Sequence, residues 1–195
     1  MLKFAILTFQ NSKYMFLTSE QLFVIGFKKV GSNVLISDKA VFYNPAGISI
    51  GDNTRIDDFC LLSGNDILIG RNVHLACYVS IIGRGRIELA DYSSVSFKGS
   101  VFSSSDPYDG SLMTNPTVPE PYRQTYHKPV YIGRHVVIGC HSCVFPGVRI
   151  EDGSAIGAMS MVSRDMPAGV IAFGVPAAVK GKRSENIFDL ENGLD

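Results

Sequence analysis

The sequence predicts an all-β chain wound as a left-handed parallel β-helix of hexapeptide repeats, with an extruded loop and short capping helices. Three observations carry this. Aliphatic residues recur every six positions at Ile132, Ile138, Val144, Ile150, Ile156 and Val162. Glycine follows the aliphatic residue at Ile50-Gly51, Ile69-Gly70, Ile132-Gly133, Ile138-Gly139 and Ile156-Gly157. The period lapses for one long stretch, between Val101 and Ile132, and then resumes. A repeat of six fits neither the 3.6 of a helix nor the alternation of a half-buried strand, and it marks a solenoid. The aliphatic side chain points inward, the small residue after it permits a tight corner, and successive coils stack at about 4.8 Å.

Residues 1–33 form an N-terminal segment. Its apolar run Phe4 to Phe9 is soon followed by Gln10, Asn11 and Lys13, too short to span a bilayer and without the pattern of a secretory signal. Thr18 to Gly26 reads as a short helix capping the open end of the stack, with Thr18 and Gln21 as a capping box and Leu22 and Ile25 on one face. The β-helix proper covers residues 34–167. It starts at Ile36 and Phe42, then runs through Ile50, Ile56 and Leu62, through Ile69, Leu75 and Ile81, and through Leu89, Val95 and Val101. Short insertions at Ile67-Leu68 and around Ile87-Glu88 separate these groups, and the whole amounts to about five coils ending near Pro167. The loop, residues 102–131, holds Asp106, Pro107, Asp109, Pro116, Pro119, Pro121 and four tyrosines, Tyr108, Tyr122, Tyr126 and, at its return, Tyr131. A loop of that length inside a regular solenoid is usually functional, and its composition suits an ordered arm against a neighbouring chain. Residues 168–195 leave the repeat as a tail, with a helix expected over Ser184 to Leu190.

The 18 basic and 18 acidic residues cancel. With no basic stripe or acidic tail, charge gives no support to nucleic acid or an anionic membrane as partner. Cys60, Cys77, Cys140 and Cys143 read as reduced thiols in a cytoplasmic chain.

The repeats, the loop and the stretch IGCHSCVFPGVRIEDGSAIGAMSMVSRDMPAGVIAFGVPAAVK together resemble the hexapeptide-repeat acyltransferases, in particular the maltose and galactoside acetyltransferases. The first half, FLTSEQLFVIGFKKVGSNVLISDKAVFYNPAGISIGDNTRIDDFCLLSG, resembles transferases that N-acetylate nucleotide-linked 4-amino-4,6-dideoxy sugars for surface polysaccharides. The resemblance implies acetyl-CoA as cosubstrate, a sugar acceptor and a homotrimer whose active sites lie between chains under the loop. It also implies a histidine as base, in a His-Pro step where the loop begins. Here that stretch reads Ser103-Ser104-Ser105-Asp106-Pro107. A hydroxyl needs a base to remove its proton, whereas an amine already carries a lone pair, so the substitution favours an amino sugar.

On this reading Asp106 accepts the amine's proton or holds the amine in place; its competing reading is an Asp-Pro turn. His74 precedes inward-facing Leu75 and so points outward, as a base or acceptor contact or as a surface histidine. Asp57 and Asp58 are candidates for the acceptor end of the cleft, against a hydrated corner. For the coenzyme, the resemblance assigns the Cys140 amide to the thioester oxygen and places His141, Ala158, Ser163 and Arg164 along its length. Pro176 lies in the Gly174 to Ala177 motif beside it, and Lys180, Lys182 and Arg183 follow as partners for a phosphate, against a solvated basic tail, as His141 stands against a solvated corner. His127 and His135 are weaker candidates.

Three alternatives stay open. A sugar O-acetyltransferase needs His74 or His127 as its base. A zinc enzyme like the γ-class carbonic anhydrases needs three converging histidines, and His135 and His141, six apart, fall on different faces. A noncatalytic scaffold binds no coenzyme. Cys140-His141-Ser142-Cys143 supplies too few convergent ligands for zinc, and no metal is expected.

Overall fold

The computed structural model describes residues 16–194. The Phe4 to Phe9 run lies outside these residues. Three parallel sheets form the faces of a triangular prism. The first face stacks Lys29–Val30, Ile48–Ile50, Ile67–Ile69, Ile87–Leu89, Val130–Ile132 and Arg149–Ile150. The second runs from Leu35–Ile36 through Arg55–Ile56, His74–Leu75, Ser94–Val95, Val137–Ile138 and Ala155–Ile156 to Val170–Gly174. The third stacks Val41–Tyr43, Leu61–Gly64, Ser80–Gly83, Ser100–Phe102, Cys143–Val144 and Met161–Val162.

Register explains the period. Ile56 lies beside Leu75, Leu75 beside Val95, Val95 beside Ile138 and Ile138 beside Ile156, and all are at most 2% exposed. Each coil therefore adds one layer of buried aliphatic side chains to the core. Glycine after the inward residue is enforced by contact between coils. A Cβ on Gly51 would stand 2.5 Å from the Gly70 carbonyl carbon, and one on Gly139 would stand 2.5 Å from the Ala158 nitrogen.

The corners carry polar devices of their own. Asp91 Oδ1 accepts the Arg71 N–H of the preceding coil at 2.8 Å, and Asp152 Oδ1 does the same for Arg134 at 2.8 Å. Buried hydroxyls hold the inside of the turns: Ser142 Oγ donates to the Gly157 carbonyl at 2.9 Å and accepts the Ser160 N–H at 3.1 Å. An alanine there would orphan the buried Ser160 N–H, while the Gly157 carbonyl keeps the Ser160 hydroxyl at 2.7 Å, so Ser142→Ala is expected to cost about 1–3 kcal/mol in denaturant unfolding.

Several expectations need correction. The first and third faces hold six parallel strands each and the second holds seven, against about five coils expected. The stack begins at Lys29, where the sequence period is not yet visible, and continues to Val170–Gly174, which pairs in parallel with Ala155–Ile156. The insertions are not at Ile67-Leu68 or Ile87-Glu88. Those residues pair in unbroken register with one another, and the extra residues sit in the preceding corners around Asn65–Asp66 and Arg84–Arg86, where no ladder constrains the chain. The tail also keeps sheet structure: Ala177–Lys182 folds back antiparallel on Val170–Gly174. Its helix spans Asn186–Glu191, not Ser184 to Leu190.

The capping helix is Ser19–Ile25, with the reciprocal Thr18 and Gln21 bonds in place, Gly26 left-handed at its end and Leu22 reaching the core. Among the described residues no helix is long and apolar enough to cross a membrane.

Candidate active site

The loop leaves the third face after Phe102 and returns at Val130, its stem an antiparallel pair of Ser104–Ser105 with Tyr126–His127. Between the loop and the third face lies an open cavity of about 810 Å³, lined by Phe102, Asp106, Tyr108, Asn115, Cys143 and Phe145 among others. Asp106 is fixed within it. Its Oδ1 accepts the Thr125 hydroxyl at 2.7 Å and its Oδ2 the Asn115 N–H at 3.3 Å. The Thr125 hydroxyl first, then the Asn115 amide, hold the Asp106 carboxyl below the usual carboxylate range against a smaller opposing effect of desolvation. The group is ionised at neutral pH and is a weak base.

His74 and Asp57 are brought together. His74 Nε2 lies 2.8 Å from Asp57 Oδ2, and Arg55 Nε donates to Asp57 Oδ1 at 2.6 Å. Desolvation pushes the Asp57 carboxyl up, but the bonds from His74 and Arg55 outweigh it and hold the group low. Asp58 turns away to Lys39 at 2.6 Å and to the Ser37 hydroxyl at 2.5 Å. His74 belongs to the second face and Asp106 to the loop from the third, and no hydrogen bond or shared cavity joins them within one chain.

The predicted coenzyme residues split. At the corner between the second and third faces the chain ladders along the axis, with Tyr78 N–H donating to Asp58 O, Lys98 to Cys77 O, His141 to Phe97 O and Met159 to Cys140 O, at 2.8–3.1 Å. Asp58 and Cys140 are therefore three coils apart on one column, roughly 14 Å. Cys140 and Ala158 stand side by side there, both exposed, and the column continues toward Gly174, whose N–H donates to Ser160 Oγ at 3.1 Å. Pro176 sits at the turn just beyond it. Among the described residues, the Cys140 N–H has no acceptor. His141 is exposed at φ +59° with its ring edge-on to Phe97. Ser163 and Arg164, both exposed, lie instead across the third-face strand Met161–Val162, at its far corner.

Lys180 and Lys182 are exposed on the terminal hairpin, with the Lys180 ammonium 5.8 Å from the Phe173 ring centre. Arg183 directs its Nη1 to the backbone. Its guanidinium donates to the carbonyls of His135, Ser154 and Gly153 at 2.7, 3.1 and 3.3 Å, and burial lowers its pKa. His135 is likewise taken up, its Nε2 2.7 Å from Glu191 and its ring stacked on Tyr92.

No protein-family model matches the chain. Among curated proteins, it is 45% identical over 179 residues to a dTDP-4-amino-4,6-dideoxy-D-glucose acyltransferase of Escherichia coli, which covers 91% of this chain and 93% of that protein. The chain belongs to the hexapeptide-repeat acyltransferases. A more distant member is the galactoside O-acetyltransferase of Escherichia coli K12, 31% identical over 78% of this chain and 63% of that protein. Among solved structures, the N-acyltransferase AntD of Bacillus cereus, in complex with dTDP and 3-hydroxybutyryl-CoA, superposes with a TM-score of 0.89 at 43% identity, over 92% of this chain and 96% of that one.

Within this acyltransferase the four cysteines are free and differ sharply in setting. Burial pushes the Cys60 thiol up to about 12, and Cys140 is exposed on the column. Alkylation of the native protein near pH 8 is therefore expected to label Cys140 rapidly and to leave Cys60 until the chain unfolds. Peptide mapping after brief exposure checks this, and prior saturation with acetyl-CoA should slow labelling at Cys140. Sequence reasoning missed Thr125 and Asn115, which orient Asp106. Their spacing from it, 19 and 9 residues, falls inside an aperiodic loop and leaves no pattern to read.

Proposed function

We propose that this acyltransferase moves the acetyl group of acetyl-CoA to the amine of a nucleotide-linked 4-amino-4,6-dideoxy sugar, in the cytoplasm, for surface polysaccharide synthesis. The observation that carries the proposal is a fixed, ionised carboxylate, Asp106, in the cavity at the root of the loop. In such a transfer the neutral amine adds to the thioester carbonyl, the C–S bond breaks, and the amine's proton and the thiolate depart as the free thiol. Asp106 is too weak a base to drive hydroxyl attack. Its unused lone pairs suit it to accept N–H bonds from the amine and to orient it.

The Cys140 N–H, without an acceptor and open to solvent, fits the oxygen that gains charge as the carbonyl becomes tetrahedral. The column of Cys140, Ala158 and Gly174 offers the pantetheine arm a strip of small side chains parallel to the axis, with His141 and Pro176 beside it. Lys180 and Lys182 lie toward the nucleotide end; Ser163 and Arg164, on the far corner, would reach the coenzyme only from a second chain. A site that draws on both Asp106 and the His74–Asp57 pair also needs two chains, which supports a homotrimer with sites at its interfaces.

The O-acetyltransferase reading keeps one observation in its favour, the His74–Asp57 pair, because a histidine held by a carboxylate is a competent base. Acceptors bearing an amine or a hydroxyl at the same carbon, assayed with acetyl-CoA, separate the two. Turnover of the amine alone, retained in His74→Ala, is expected. Hydroxyl transfer abolished by His74→Ala would reverse the assignment.

A further inference from the structure

Addition of an amine to a thioester leaves a proton that must be removed. The tetrahedral intermediate carries it on a positive nitrogen, and while it stays there the amine is expelled in preference to the thiolate and the reaction runs backward. Asp106 is a poor acceptor, since its two hydrogen bonds hold it low. The other ionisable side chains on the first cavity's lining are the exposed Tyr108 phenol and the Cys143 thiol, which burial pushes up. Neither side-chain type is a base at neutral pH.

The loop stem holds a better one. Ser104 lies opposite His127 in the antiparallel register, and two residues further on Asp106 meets Thr125 through the hydroxyl bond, so both pairs stand on one face of the stem. Successive pairs on one face are about 7 Å apart. A second cavity, of about 560 Å³, opens on the N-terminal side of the stem, lined by Arg84, Thr125 and His127 among others. Ser104 is the one residue common to the linings of the two cavities. Its hydroxyl therefore stands between the cavity that holds Asp106 and the one that holds the histidine.

The bonds made there fix what each group can do. Ser104 Oγ accepts the Arg84 backbone N–H at 2.8 Å and lies 2.7 Å from His127 Nδ1. With the Arg84 N–H on one lone pair, the hydroxyl donates its own proton to Nδ1 and keeps its other lone pair unused. The ring then carries its proton on Nε2. His127 is exposed, and among the described residues Nε2 has no hydrogen-bond or carboxylate partner.

We infer that Ser104 and His127 form a proton relay for the acetylation of an amine proposed above, on which this inference rests. The unused lone pair of Ser104 takes the proton from the ammonium formed on attack, as the Ser104 proton passes to His127 Nδ1. With nitrogen neutral, the oxyanion re-forms the carbonyl and the C–S bond breaks, its electron pair leaving on sulfur. The imidazolium gives a proton to solvent on the side of the second cavity, and the thiolate takes one from solvent. The products are the amide and the free thiol. Ser104 is the catalytic residue of the pair, and His127 acts through it.

Steady-state assays of the full chain with acetyl-CoA and dTDP-4-amino-4,6-dideoxy-D-glucose as the probe acceptor test the relay. His127→Asn places an oxygen near the position of Nδ1, which keeps the Ser104 bond and the stem while removing the base. It is expected to lower kcat about a hundred-fold with KM for acetyl-CoA unchanged. His127→Ala should fall as far and regain about tenfold or more when imidazole is added, whereas Ser104→Ala should fall as far and gain nothing from imidazole. Should the alanine variant lose the loop by limited proteolysis, the asparagine variant still decides. A contact that merely holds the stem predicts the opposite pattern. His127→Asn within about threefold of the native rate would overturn the relay and leave the amine acceptor standing. A folded His127→Ala that imidazole does not rescue would overturn it as well. Absence of amine turnover by the native protein would overturn the acceptor itself, and the relay with it.

Discussion

Asp106→Asn is expected to lower kcat/KM for the amino-sugar acceptor by roughly a hundred-fold, the penalty for losing the orientation of a reacting group. The amide keeps the shape and retains one oxygen for the Thr125 hydroxyl, so the shorter of the two bonds that anchor the loop is kept. What disappears is the negative charge and the second oxygen, the one that accepts the Asn115 N–H. KM for acetyl-CoA should not change. The pH dependence separates this role from that of a general base. The Asp106 carboxyl sits below its ordinary range, so it is already ionised throughout the neutral region and cannot produce an acidic limb there. That limb belongs to the substrate's amine and should survive in the variant. A base role predicts that the limb is lost with the carboxylate.

The companion change, Thr125→Val, removes the bond that most depresses Asp106 and should raise its pKa toward the ordinary value, with an intermediate loss of rate. Since the folded-state pKa is lowered, the loop's anchoring by Asp106 is present above the carboxyl's ordinary value and is lost as pH falls through the depressed one. Limited proteolysis of the loop at neutral and acid pH reads this directly. Asp106→Asn activity within about threefold of the native protein would remove the carboxylate from the reaction altogether.

What the sequence revealed follows from which forces repeat. Ile132, Ile138 and Val144 each meet the same requirement, an inward aliphatic layer against identical layers above and below, so the period is visible without any structure. Loop position and the glycine after the inward residue are legible for the same reason, since both mark where the ladder must break or tighten. The coil count was not. Lys29–Val30 at one end is held by backbone pairing on one side only, and Val170–Gly174 at the other has a parallel coil on one side and the antiparallel strand Ala177–Lys182 on the other, so neither meets an identical layer above and below and their side chains are free to depart from the pattern.

At the site, His74 beside Asp57 was half legible: the outward direction of His74 follows from its place before Leu75, but the bond to Asp57 depends on the register between coils. Asp106 was found because it replaces a residue that the resemblance leads one to expect. The pairing of Ser104 with His127 was invisible. These residues, 23 apart, come together only because the two limbs of the loop pair as antiparallel strands, a register that no repeat encodes.

Ile81→Ala is expected to destabilise the fold by about 2–5 kcal/mol. Ile81 is fully buried on the third face, between Leu62 on one side and Val101 on the other, with no surface nearby through which the cavity could collapse. Both neighbours are β-branched or γ-branched side chains fixed by two parallel ladders, so relaxation is limited. A solenoid's stability is a sum of coil terms and nearest-neighbour interface terms. The same truncation should therefore cost less where a coil has one neighbour. Ile36, equally buried, lies on the second-face strand Leu35–Ile36, which pairs in parallel only with Arg55–Ile56. Ile36→Ala lets that coil fray without opening the rest, and its cost should fall below that of Ile81→Ala. Urea unfolding of both variants, with hydrogen exchange to locate the opening, decides the matter. Equal costs with global opening in each would show that the prism unfolds as one unit, and the nearest-neighbour account would have to be abandoned.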